Sequence, residues 1–148
     1  MERREILIID EDEIQSVLLR GILDGAGYEV AVIATVEAAL NQIRPNWPDL
    51  LLLATALTGQ DGIALIRSVR EDDHLKELPI IVLSAQTTRM DALSALESGA
   101  DDYITKPFGQ LELVARVRAM LRRRHSTRRE EQTELSATHD GSPYKTTP

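Results

Sequence analysis

The chain has 148 residues, 43% hydrophobic and 28% charged, which is enough for one domain with a full core and too few for two. Its net charge of −7 argues against a nucleic-acid-binding surface, and the lack of cysteine excludes disulfides, cysteine metal sites and thiol catalysis. No apolar run approaches the ~20 residues of a membrane span and MERREILIID does not read as a signal peptide, so a cytoplasmic protein without a membrane partner is expected.

Aromatic residues are only 3%, so the core must be aliphatic. A β-branched apolar run from Glu5 predicts the first strand, which ends abruptly in acids at Asp10. The period then changes: Ile14, Val17, Leu18 and Ile22 form a helical stripe that stops at Gly25, Ala26 and Gly27. Tyr28 to Ala34 reads as a strand. Thr35 can cap the next helix, which ends at Arg44 and Pro45. Leu50 to Ala54 suits a strand buried on both faces of a parallel sheet. Gly62 to Arg70 carries helical spacing in Ile63, Ile66 and Val69, and Pro79 to Ala85 is another fully apolar strand. Thr87 to Ser98 is helical and closes at Gly99. Asp102 to Thr105 is a short strand, and from Gly109 an amphipathic helix runs through Leu113, Val117, Met120 and Leu121.

Five strands alternating with five helices predict an α/β fold, a parallel sheet covered on both faces by right-handed crossovers. The first turn holds Asp10, Glu11, Asp12 and Glu13 where Rossmann-type dinucleotide binding needs a glycine-rich loop, and four acids would repel a pyrophosphate. The domain is expected to end at residue 124. His125 to Pro148 has a single leucine and no helical stripe, too little apolar surface to offset its ordering entropy, and reads as a polar linker or tail.

In open α/β sheets the chemistry sits beyond the carboxyl ends of the strands. Strand one delivers Asp10 and Glu11 there, strand four Ser84, and strand five Lys106. Two acids, a hydroxyl and an ammonium suit a hard divalent cation such as Mg²⁺ and a phosphoryl group that it neutralises. Strand three delivers only Ala54.

Together ILIIDEDEI, PDLLLLATALTGQDG, PIIVLSAQ and GADDYITKPF resemble the receiver domain of bacterial two-component response regulators, in the family's order and spacing, from Glu5 to Arg124. The resemblance implies a flavodoxin-like, doubly wound fold with strand order 2-1-3-4-5 and a place in phosphorelay signal transduction. In that family a histidine kinase passes a phosphoryl group to an aspartate at the end of strand three. Mg²⁺ is held there by the acids after strand one, the acceptor carboxylate and a nearby backbone carbonyl. Matched by residue, Asp10 and Glu11 correspond to the acidic pair, Ser84 to the switch hydroxyl, Tyr103 to the switch aromatic and Lys106 to the phosphate-binding lysine. The bond between Lys106 and Pro107 matches one that is usually cis in the family.

The acceptor position matches Ala54, whose methyl group can neither attack a phosphohistidine nor ligate a metal. The family also commonly places a large apolar residue at Ala56 and proline at Thr58, departures that favour drift over an engineered change. The chain therefore resembles a pseudo-receiver that signals by protein–protein interaction and is not an enzyme. No cofactor is required on this reading, and Asp10, Glu11 and the Ala56 backbone offer only a weak Mg²⁺ site.

The expected partners are a histidine kinase or other signalling protein, an output domain beyond Pro148, and a second copy of the chain. The weak homodimer would use helix 4, strand 5 and helix 5, with Asp101 and Asp102 facing Arg116 and Arg123. Ala92 stands where such regulators carry Lys or Arg, which puts those ion pairs in doubt. Regulators with winged-helix DNA-binding outputs share this segment with others attached to cyclases or kinases, so the output is undecided. Nucleic-acid contact by this domain itself is not expected.

Each residue also has a plainer reading. Asp10 to Glu13 could be acids complementing a helix dipole, and Arg122 to Arg124 a solvated helix end. Ser84 could be only a strand-end hydroxyl, Tyr103 a half-buried strand residue, and Lys106 a structural partner of Asp10 or Glu11. Thr55 should point away from the site because side chains alternate along a strand, and Asp61 serves a turn. The competing function is a Mg²⁺-dependent phosphatase of the haloacid-dehalogenase type, for which Asp10 to Asp12 would supply the nucleophile. The later segments fit receivers far better.

Overall fold

The alternation seen in the sequence closes into one parallel sheet in the computed structural model, which describes residues 3–43, 48–54, 61–85 and 89–123. In chain order these are β1 (Glu5–Ile9), α1 (Glu13–Gly25), β2 (Glu29–Ile33), α2 (Val36–Ile43), β3 (Leu50–Leu53), α3 (Asp61–Glu71), β4 (Ile80–Ser84), α4 (Arg89–Ser98) and β5 (Asp102–Thr105). A last helix, α5, covers residues 110–123. The sheet order is β2-β1-β3-β4-β5, the expected flavodoxin-like arrangement. The expected tail at 125–148, and Thr55, Ala56 and Thr58, lie outside the described residues.

Strand alternation builds two cores from one sheet. Leu7, Ile9, Leu51, Leu53, Ile80 and Val82 face α2, α3 and α4, meeting Ala39, Leu65, Ile66, Val69 and Ala95. Ile6, Ile8, Leu50, Leu52, Ile81 and Leu83 face α1 and α5, meeting Leu19, Leu23, Leu113, Val117, Met120 and Leu121. All four leucines of β3 are fully buried, as a central parallel strand requires.

One helix is rotated from its expected setting. The α1 stripe read from sequence was Ile14, Val17, Leu18 and Ile22, yet Ile14, Val17 and Leu18 are 85%, 72% and 55% exposed. Ser16, Leu19 and Leu23 are buried instead. The helix carries enough apolar residues for two stripes, so periodicity does not choose between them. Its first turn does: Asp12 caps it by accepting from the Ile14 and Gln15 N–H groups at 3.0 and 3.1 Å, anchoring the start of the helix directly after β1. At its other end Gly27 takes φ +100°, as a helix stop needs. Thr35 caps α2 as expected, accepting from the Ala38 N–H at 3.2 Å.

The α3, α4 and β5 region is tied by one side chain. Arg70 donates to the carbonyls of Gly99, Lys76 and Leu78 at 2.8, 3.0 and 2.7 Å, and to Asp101 Oδ2 at 2.8 Å. Asp101 Oδ2 also accepts from the Ile80 N–H at 2.8 Å, so the clasp reaches the start of β4.

Candidate functional site

Parallel register brings the strand ends into line. Ile9 pairs with Leu53, Leu53 with Val82, and Ser84 with Thr105, so Asp10, Ala54, Ser84 and Lys106 share the carboxyl edge of the sheet. The Ala54 N–H donates to the Ile9 carbonyl at 2.8 Å, which sets Ala54 beside Asp10. Ala54 is 2% exposed and its methyl belongs to the apolar cluster with Leu50 and Leu52.

Asp10 is 3% exposed, and a buried carboxylate has to be paired or hydrogen-bonded. Its Oδ1 accepts from the Asp12 N–H at 2.9 Å and its Oδ2 from the Gln15 side-chain amide at 2.8 Å. Glu11 and Asp12 are exposed, and Asp12 is occupied as the α1 cap. The dipole reading of the acidic run thus holds for Asp12 and Glu13, whereas Asp10 faces inward.

Ser84 closes β4 at 1% exposure, and its carbonyl accepts from the Lys106 N–H at 2.9 Å. Lys106 precedes a cis bond to Pro107, as the resemblance implied. Among the described residues Lys106 makes no ion pair with Asp10 or Glu11, against the plainer sequence reading. Asp10 already has an N–H donor on each oxygen, and Glu11 is turned to solvent. Tyr103 is half-buried in β5 and packs against the core formed with α3 and α4.

A divalent cation needs several oxygen ligands, and among the described residues this edge offers the buried Asp10 and the exposed Glu11. Each Asp10 oxygen already accepts one hydrogen bond, the end of β3 offers a methyl group, and Ala56 lies outside the described residues. Among those residues no cluster of three or more His, Asp or Glu side chains could hold a metal. Gln15 was missed by sequence reasoning. An amide on an exposed-looking helix turn carries no signal until the fold shows what lies beneath it.

The residues expected at an interface are committed within the chain. Asp101 joins the Arg70 clasp. Asp102 accepts from Arg116 Nη1 through both oxygens, at 3.0 and 2.9 Å, and Arg116 Nη2 reaches Glu112 at 3.3 Å. The hydrogen bond to Asp102, then its charge, raises the Arg116 guanidinium above its ordinary value. A base whose value rises keeps its charge over the whole ordinary pH range, so alkaline buffer does not release this pair through Arg116. Arg123 is exposed near the end of α5.

The response regulator receiver domain family matches residues 6–118. The DNA-binding response regulator MtrA of Mycobacterium tuberculosis H37Rv is 46% identical over 121 residues, 82% of this chain and 52% of MtrA. The chain spans about half the length of the curated relatives it matches. A two-component response regulator from Clostridium difficile superposes with TM-score 0.74 at 34% identity, covering 82% of this chain and 98% of that one. The receiver domain of the sensor histidine kinase PA1611 from Pseudomonas aeruginosa PAO1, solved with magnesium coordinated in its active-site cleft, gives TM-score 0.73 at 26% identity, covering 81% and 98%. No helix among the described residues is long and apolar enough to cross a membrane.

Proposed function

The chain belongs to the response regulator receiver domain family, and from that premise we propose that it signals by binding partner proteins in one fixed state, without accepting a phosphoryl group. Ala54 carries this reading: the residue after β3, beside Asp10, is a buried methyl group with no nucleophilic atom. In an active receiver the phosphoryl group gives the switch hydroxyl and the lysine a new contact, and that differential contact shifts the equilibrium between two states. With alanine here, Ser84, Tyr103 and Lys106 gain no such ligand and act as scaffold.

A histidine kinase or another signalling protein is the proposed partner. The likeness to MtrA, a DNA-binding response regulator, supports a DNA-binding output beyond Pro148; residues 1–124 are proposed as the receiver unit and 125–148 as its linker. No observation favours the phosphatase reading over this one.

The test is an amide NMR titration of the unmodified chain with acetyl phosphate and MgCl₂. The Ser84, Tyr103 and Lys106 resonances are expected to stay in place; a slow-exchange second set of peaks at these residues would reject a fixed state.

The homodimer through α4, β5 and α5 belongs to the same proposal, and the observed pairs make it weak. Arg116 is already engaged by its own Asp102 and Glu112, so a second copy gains only a share of its charge. Exposed pairs of this kind contribute about 0–1 kcal/mol and are screened by salt. Arg116→Glu is expected to lower the dimer fraction at low ionic strength and to change little at high salt. Sedimentation equilibrium reads this directly, and an unchanged dimer fraction at low salt would remove α5 from the interface.

A further inference from the structure

The proposed function leaves Gln15 without a task, although its position is tightly defined. Its side-chain nitrogen lies 2.8 Å from Asp10 Oδ2, and the Asp12 backbone N–H is 2.9 Å from Oδ1. A carboxylate only accepts, so the amide must present its nitrogen to it. Gln15 is brought there by the Asp12 cap, which accepts from the Gln15 backbone N–H at 3.1 Å and fixes the first turn of α1.

We infer that the Gln15 amide substitutes for a divalent cation as the group that holds the buried charge of Asp10, so that the folded site does not depend on Mg²⁺. The chemistry of the donors supports this. Each Asp10 oxygen has a hydrogen-bond donor supplied by the chain itself, and hydrogen bonds to a charged group are among the stronger ones. A tethered amide also brings no hydration shell to remove, whereas Mg²⁺ dehydrates reluctantly. A cation would have to share Asp10 Oδ2 with the amide, and among the described residues it would then find Glu11, an exposed acid, and the methyl group of Ala54. The inference deepens the proposed function and rests on Ala54 as a lost acceptor. It adds that a second residue, Gln15, already serves Asp10, so that a new carboxylate at position 54 does not by itself rebuild a tight cation site.

The test is calorimetric titration of MgCl₂ into the full chain and its Gln15→Ala, Ala54→Asp and Ala54→Asp/Gln15→Ala variants. The unmodified chain is expected to show no saturable binding. The double variant is expected to bind Mg²⁺ about tenfold more tightly than Ala54→Asp alone, because only in the latter does the amide compete with the cation for Asp10 Oδ2. Equal affinities of those two variants would overturn the role of Gln15. That result would leave the phosphorylation-independent reading standing, since only phosphoryl uptake by the unmodified chain contradicts it. A readout free of any variant is the Gln15 side-chain amide resonance pair, expected to be slow to exchange and unmoved by MgCl₂. A saturable shift of that pair would equally overturn the inference.

Discussion

Ala54→Asp is expected to turn a chain that takes up no phosphoryl group into one that takes up a single, base-labile one from acetyl phosphate in the presence of Mg²⁺. The backbone is already set for the change: the Ala54 N–H bond to the Ile9 carbonyl fixes the residue at the sheet edge beside Asp10, with the Lys106 backbone tied to the end of β4 nearby. A carboxylate there regains the lone pairs that attack phosphorus. It also has a cost. A second acid beside the buried Asp10 introduces like-charge repulsion at low solvent exposure. The variant should therefore be less stable than the unmodified chain by about 1–2 kcal/mol in EDTA, with part of that recovered by Mg²⁺. Intact-mass spectrometry reads the adduct and urea unfolding the stability. A stable variant that stays unphosphorylated would mean that the edge has lost more than its nucleophile.

The second large effect is expected at Arg70. Its guanidinium supplies donors to three backbone carbonyls and to Asp101, linking α3, the segment before β4 and the turn into β5. Arg70→Ala leaves the buried Leu78 carbonyl and the half-buried Gly99 carbonyl short of a donor, and releases Asp101 from its ion pair. Each lost bond to a charged donor costs more than a neutral one, but water reaches the outer side of the clasp. The expected loss is about 3 kcal/mol in urea unfolding. Gly99 provides an independent check, because it sits at φ +123° and a Cβ there would lie 2.6 Å from Arg70 Cγ. Gly99→Ala should cost about 1–2 kcal/mol from backbone strain and this clash. In the double variant the clash is absent, so the two losses should sum to more than the measured total. Strict additivity would show that the Arg70 stem does not press on the turn.

Much of this architecture is legible in the sequence because strands buried on both faces leave an unmistakable mark. Leu50 to Leu53 and Ile80 to Leu83 cannot be solvated, and helical segments between them force a parallel sheet. The α5 stripe was equally clear, and Leu113, Val117, Met120 and Leu121 are all buried. The setting of α1 was not legible, since Ile14, Val17 and Leu18 compete on periodicity with Leu19 and Leu23 and the winner is decided by the anchored first turn. The gathering of Asp10, Ala54, Ser84 and Lys106 at one edge follows from strand ends alone. The partners of those groups do not. Arg70 reaches carbonyls and a carboxylate up to 31 residues away, and backbone acceptors have no residue identity to read. Asp101 and Asp102, expected to face a second copy, turn out to be held first by their own chain.

The most direct measurement of the central claim is the intact mass of the unmodified chain after incubation with acetyl phosphate and MgCl₂, taken before and after mild base. A receiver held in one state by Ala54 is predicted to show the mass of the bare chain at every time point. Stoichiometric, base-labile phosphorylation of that chain, whether at Asp10, Glu11 or elsewhere at the sheet edge, would contradict it.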